Sequence, residues 1–294
     1  MEIPGINYVN KLAVNAFENY FLPVAREIFW TERFTQMPFS SKVFFGAWEN
    51  FFKLGQIKFF RDIMPEFNPE KTNMSWIPIN QTIEGMQEIA LPEVILDKLI
   101  DKASHRVIVN YCGCRKVENC QSYPHDIGCL MMGESALLIP EKVRKEVDAD
   151  EAKAHVRKAV ANGLIPITGK ARIDNDLFLI PDEDKLLTVC FCCECCCITR
   201  FTKHIPSEHL DQMFHPIEGL SIEVTDECIG CGKCESKCYV EAIKVVNEKA
   251  VISDKCRICG RCVSACPTKA IRLIAKDPDA AEAVIQRIDS VVMY

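Results

Sequence analysis

Acidic and basic residues interrupt every hydrophobic run in this chain before it reaches the roughly 20 residues needed to cross a bilayer, so no spanning helix is expected. A basic surplus is also missing. The formal net charge is -6, the wrong sign for a surface that must displace counterions from nucleic acid. The N-terminus, Met1-Glu-Ile-Pro-Gly, has neither the basic region nor the unbroken apolar segment of a secretory leader. No Gly-x-Gly-x-x-Gly follows a candidate strand, which leaves a bound dinucleotide unsupported. No Ser/His/Asp spacing suggests hydrolysis.

Cysteine is what the chain has in excess. Of its 294 residues 18 are cysteine, and six of these fall within eight positions: Cys190, Cys192, Cys193, Cys195, Cys196 and Cys197. One or two neighbouring thiols can serve as small buried hydrophobes, but six together form an array of soft ligands. The others fall into three groups: Cys112, Cys114, Cys120 and Cys129; Cys228 to Cys238; and Cys256 to Cys266. Disulfide scaffolds are typically small and secreted, so metal-thiolate sites in a reducing cytoplasm are the better account. Several exposed clusters would tolerate oxygen poorly, which points to an anaerobic setting.

The pattern predicts an α+β chain of three parts. Residues 1–90 form an aromatic-rich helical region, in which twelve of the sixteen phenylalanines precede residue 68. Leu12, Phe17, Phe21 and Val24 have helical spacing, as does the run Val43, Phe44, Ala47, Trp48, Phe51 and Phe52. These helices are expected to cover a core; a docking face for a partner or for peripheral membrane contact is the second reading. Asn68 to Pro92 reads as linker. Residues 91–215 form a small α/β cysteine-rich domain. Pro92 opens a helix, strands are expected at Arg106–Asn110, Leu164–Ile167, Leu177–Ile180 and Leu186–Val189, and Asp148 to Asn162 reads as an amphipathic helix stopped by Gly163. Two of these strands lead directly into cysteine groups. His204 to Pro216 reads as a second linker, and residues 216–294 form the last module, closed by a helix over Asp277 to Val292.

That module carries Cys228-x2-Cys231-x2-Cys234-x3-Cys238 and then Cys256-x2-Cys259-x2-Cys262-x3-Cys266-Pro267, followed by Glu241-Ala-Ile and Lys269-Ala-Ile respectively. It resembles the bacterial two-cluster ferredoxins, βαβ repeats in which the fourth cysteine of each run ligates the other cluster. The resemblance implies one [4Fe-4S] cluster on Cys228, Cys231, Cys234 and Cys266, and a second on Cys256, Cys259, Cys262 and Cys238. Tyr239 stands where the ferredoxin pattern has proline. Zinc, which also takes four thiolates, does not explain the doubled repeat.

Residues 106–200 carry Val-Ile-Val-Asn-Tyr-Cys-Gly-Cys-Arg, Tyr-Pro-His-Asp-Ile-Gly-Cys-Leu-Met-Met-Gly-Glu and Leu-Leu-Thr-Val-Cys-Phe-Cys-Cys-Glu-Cys-Cys-Cys. These resemble an iron–sulfur family of anaerobic archaea and bacteria described as ferredoxin-like, which implies electron transfer in an anaerobic redox system. The ten remaining thiols are expected to hold one or two additional iron–sulfur clusters. Two cubanes would use eight; one six-thiolate cluster plus one cubane, or two five-thiolate clusters as in the disulfide-reducing subunit of heterodisulfide reductase, would use all ten. That enzyme has Cys-Cys-Gly where Cys192-Cys193 is followed by Glu194. Consecutive side chains of extended backbone point apart, so the array should divide its sulfurs between sites, with Cys112–Cys129 and Cys190–Cys197 jointly completing a centre. His125, Arg115, Lys116 and Glu134 are weaker candidates for ligation, charge balance or turn capping.

The expected function is a wire: a polyferredoxin passing low-potential electrons between a redox partner protein and a larger oxidoreductase. The alternative is a reductase whose substrate-active cluster in the middle domain is fed by the C-terminal module. Homo-oligomerisation is compatible with either.

Overall fold

A computed structural model describes residues 40–79, 83–84, 91–178, 180, 183–277 and 279–294. The helical run expected around Leu12, Phe17, Phe21 and Val24 lies outside these residues. Helix α1 (Ser40–Leu54) turns its aromatic stripe inward, burying Phe45, Trp48 and Phe51. Phe51 stacks on Phe67 with centroids 5.1 Å apart, just beyond the short helix α2 (Lys58–Ile63). No helix among the described residues is long and apolar enough to cross a membrane.

Strand β1 (Thr72–Trp76) lies inside the stretch expected to be linker. Prolines 69 and 78 punctuate the chain on both sides of it, and Thr72, Asn73 and Ser75 leave no apolar run to mark it. It forms one edge of a six-stranded, wholly antiparallel sheet. Next to it lies β6 (Ile165–Ala171), then β7 (Leu187–Cys192), β4 (Leu130–Met132), β3 (Arg106–Val109) and β5 (Arg144–Glu146). Of Leu177–Ile180, expected to be a strand, Leu177 and Phe178 instead end helix α6 (Arg172–Phe178), and the Ile180 amide donates back to the Asn175 carbonyl. Period-2 and helical patterns are hard to separate in so short an apolar run.

The sheet is covered on one face by α3 (Leu91–Lys102) and α5 (Ala149–Ala161), through Ile95, Leu99, Ala152 and Val156. Asp148 caps α5, its carboxylate accepting the Glu151 amide at 2.8 Å. A cap of this kind contributes about 1 kcal/mol. Between α6 and β7 the opposite face packs Met131, Phe178 and Leu186.

Strands β3 and β7 each pair antiparallel with β4, so they run in the same direction and finish at the same end of the sheet. Strand β4 begins at that end. The cysteines that follow β3, precede β4 and close β7 therefore converge. The approach is tight: a methyl group on Gly128 would stand 1.9 Å from the Val109 carbonyl oxygen, so only glycine lets β4 start there.

The second expected linker contains α7 (Ser207–Met213), which packs on β1. Beyond it, β8 (Leu220–Val224), the hairpin β9 (Ile243–Val246) with β10 (Lys249–Ile252), the short helix α8 (Arg261–Ala265) and β11 (Ile271–Ala275) form the last module. Its two halves repeat in conformation as well as sequence. Gly232 and Gly260 sit at φ 72° and 75°, and Glu241 and Lys269 both at 56°. The short strand β2 (Ile83–Glu84) adds in parallel to β11. Helix α9 (Ala280–Asp289) then returns to α3, where Lys98 pairs with Glu282 and Lys102 with Asp289. The C-terminal module is thus tied to the rest of the chain at several points.

Candidate metal centres

The C-terminal cysteines form two sets, each drawn from both runs. One small cavity is lined by Cys228, Cys231, Cys234 and Cys266. Another is lined by Cys256, Cys259, Cys262 and Cys238. Each x2-x2 run brings three thiols to its own cavity, and the fourth cysteine crosses to the other. We expect Cys238→Ser to impair the cluster formed mainly by the second run, and Cys266→Ser the cluster formed mainly by the first. EPR of the two variants checks this, and damage confined in each case to the run that carries the substitution would refute the crossing.

The ten middle thiols separate into a six and a four. Cys190 and Cys192 alternate with Phe191 along β7, so both face away from the α3/α5 side of the sheet. With Cys112, Cys114, Cys129 and Cys197 they line a cavity of about 130 Å³. Within it Cys129 and Cys190 lie 2.9 Å apart, sulfur to sulfur, and Cys192 and Cys197 lie 3.1 Å apart. The rest of the wall is largely apolar and includes Phe52, Met131 and Ile167, together with the buried carboxyl of Asp174. Burial pushes that carboxyl up to about 7, against a hydrogen bond from Thr188. Phe191 and Cys193 face the other way. Cys193 joins Cys120, Cys195 and Cys196, and the four sulfurs all lie within 4.8 Å of one another.

Each group thus takes ligands from both cysteine stretches. Strands β3 and β7 are not neighbours, however: β4 intervenes, and Cys129 at its start bridges the gap.

Arg115 sits between the two groups. It is only 1% exposed, and it donates to the carbonyls of Pro124 (2.9 Å), Phe191 (2.6 Å) and Ile127. Burial alone would weaken its hold on the proton, but the surrounding thiols Cys112, Cys193, Cys129 and Cys197 more than reverse this. Lys116 instead lies over the Tyr111 ring at 3.8 Å. The His125 ring bonds the Cys120 carbonyl at 2.9 Å, and Glu134 pairs with Lys185 on the surface.

The seam between the middle segment and the ferredoxin-like module is built around Arg261, Glu194 and Tyr239. Arg261, between Cys259 and Cys262, donates to Glu194 (2.5 Å), to the Cys192 carbonyl (3.0 Å) and to the Tyr239 hydroxyl (2.6 Å). Glu194 also accepts from Lys237 (2.9 Å) and Tyr123 (2.8 Å). Burial would raise the Glu194 carboxyl, yet these donors hold it at about 2. Tyr239, in the position of the missing proline, stacks on Trp76 at 6.1 Å. Cys192, Cys197 and Cys259 are all close enough to act electrostatically on its hydroxyl. Two departures from known motifs mark this seam in the sequence, Tyr239 in place of proline and Glu194 in place of glycine.

The chain is an iron–sulfur electron-transfer protein, and the two crossed sets lie within the segment that shows it. Residues 220–277 match the family model described as a 4Fe-4S dicluster domain. Comparison with curated proteins and with solved structures gives no match. The crossed sets fit the cubanes that this domain implies, since each offers four thiols around one cavity. Cys228, Cys231, Cys234 and Cys266 would hold one, and Cys238, Cys256, Cys259 and Cys262 the other.

Proposed function

We propose that the protein is a multi-cluster electron carrier that passes low-potential electrons to or from a larger oxidoreductase in anaerobic metabolism. In this reading the six-thiol cavity holds a third iron–sulfur cluster. The observation that carries it is the seam at Tyr239. Cys238 and Cys259 of one ferredoxin set, and Cys192 and Cys197 of the six-thiol cavity, belong with Tyr239 to the same hydrophobic cluster. A reduced cluster in one set would then face a cluster in the other across a buried seam.

The other ferredoxin set reaches the surface. Cys231 is exposed there, and Ile229 beside it is 65% exposed, so this end of the wire is the one open to a redox partner. The chain itself would bind and insulate. Backbone amides tune the sulfurs, as where Ala242 N–H meets Cys238 at 3.2 Å and Ala250 N–H meets Cys228 at 3.4 Å.

A second reading, a reductase with a substrate-active cluster, is favoured by one feature. The six-thiol cavity is far larger than the two ferredoxin cavities, at about 130 Å³ against about 20 and 10 Å³, and Asp174 faces into it. Iron and sulfide analysis with EPR on anaerobically purified protein tests for the third cluster on which both readings depend.

A further inference from the structure

The four thiols on the far side of β7 are arranged differently from every other set. The Sγ atoms of Cys120 and Cys195 are 3.6 Å apart, and those of Cys195 and Cys196 are 3.5 Å apart. A single tetrahedral ion with metal–sulfur bonds of about 2.3 Å holds its sulfurs about 3.8 Å from one another. In a cubane four irons each push their own thiolate outward, and the sulfurs stand farther apart.

The ferredoxin module supplies an internal comparison. Its two sets serve a dicluster domain, yet among the described residues only Cys120, Cys193, Cys195 and Cys196 draw together within 4.8 Å. The local backbone agrees. Cys193-x2-Cys196 has the short chelating spacing of single-ion sites, and the Cys196 amide points at the Cys193 sulfur, 3.4 Å away. Cys120, Cys193 and Cys196 are buried while Cys195 meets solvent, so the site is closed except at one corner.

We propose that Cys120, Cys193, Cys195 and Cys196 bind one tetrahedral metal ion, zinc or a single iron, in place of a further cluster, and that this ion fixes Glu194 against the ferredoxin module. Glu194 lies between two of the ligands, so a rigid turn through Cys193 and Cys195 fixes its carboxylate where Arg261 and Lys237 meet it. The ion would anchor the loop that positions one ferredoxin set beside the six-thiol cavity. The ion site stands on its own sulfur geometry; only its role at the seam rests on the reading above.

The test is metal and inorganic sulfide per chain in the anaerobic holoprotein, compared with Cys120→Ser and Cys195→Ser. Each variant is expected to lose one metal equivalent with sulfide unchanged. Loss of zinc identifies one source and loss of sulfide-free iron the other. Joint loss of about four irons and four sulfides, or no loss of metal, would overturn the proposal. Should the variants fail to fold, the wild-type protein still decides. Zinc X-ray absorption should give four sulfurs at about 2.3 Å with no metal neighbour, or Mössbauer spectra should show one isolated tetrahedral iron; neither signature means the site is not mononuclear. For the second half, hydrogen exchange at the amides of residues 259–264 should quicken roughly tenfold in both Cys195→Ser and Glu194→Gln. Unchanged exchange in Cys195→Ser would sever the ion from the seam. An iron count showing no third cluster would sink the proposed function and leave the ion site standing.

Discussion

Arg115→Ala is expected to yield little soluble protein and no centre in the middle domain. The guanidinium supplies the donors for three carbonyls, those of Pro124, Phe191 and Ile127, in a region closed to water. It is also the positive charge set among thiols of both groups. Truncation leaves those carbonyls unpaired, opens a cavity and removes the balance to thiolate charge. Removing one member of a buried charged arrangement typically costs on the order of 3–5 kcal/mol, a large part of the stability of an ordinary domain. Lysine should not rescue it, because a single ammonium cannot reproduce the planar fork that reaches three separate acceptors. Soluble yield, denaturant midpoint and iron content of Arg115→Ala and Arg115→Lys check the expectation. An alanine variant within about 1 kcal/mol of wild type and carrying full iron would show that the charge is dispensable.

A fragment ending at residue 185 should fail still more completely, although it keeps Cys112, Cys114, Cys120 and Cys129. It lacks β7, which joins β6 on one side to β4 on the other, so the six-stranded sheet would fall into two unconnected pieces. It also lacks all six thiols of the array, and each middle group draws on that array. Because the ligands meet only in the folded chain, metal cannot rescue the fragment. We expect no native-like circular dichroism and no stable chromophore after reconstitution. A stable cluster in this fragment would mean that the early cysteines form a site alone.

Much of this arrangement was legible in the sequence, for reasons that can be traced to particular residues. The crossed sets followed from the resemblance of Cys228 to Cys238 and Cys256 to Cys266 to the two-cluster ferredoxins, a motif that carries its geometry with it. Alternation along an extended strand foretold that the array would divide its sulfurs, though not which cysteine would fall on which side. The amphipathic helix α5 and its end before Gly163 followed from local chemistry.

What stayed hidden depended on residues distant in sequence. Strand β4 is only three residues long between Gly128 and Gly133, too short to show a period, yet it determines how Cys112 and Cys190 meet. The division of ten thiols into six and four needed Cys120 placed beside Cys195, 75 positions away. The buried Asp174, Asn175 and Asp176 of α6 made a strand reading tempting just downstream, where only the apolar end of the helix remained. Nothing local marks Arg261, because its partners Glu194 and Tyr239 lie 67 and 22 positions away.

The most direct test of the central claim is a count of iron and inorganic sulfide per chain in protein purified without oxygen, with EPR of the fully reduced sample. Two cubanes hold about eight irons and eight sulfides. A third cluster in the six-thiol cavity predicts both numbers above eight, and a ferredoxin signal broadened by a neighbouring spin that disappears in Cys192→Ser. About eight sulfides, with an EPR spectrum of two ferredoxin clusters unchanged by Cys192→Ser, would contradict it.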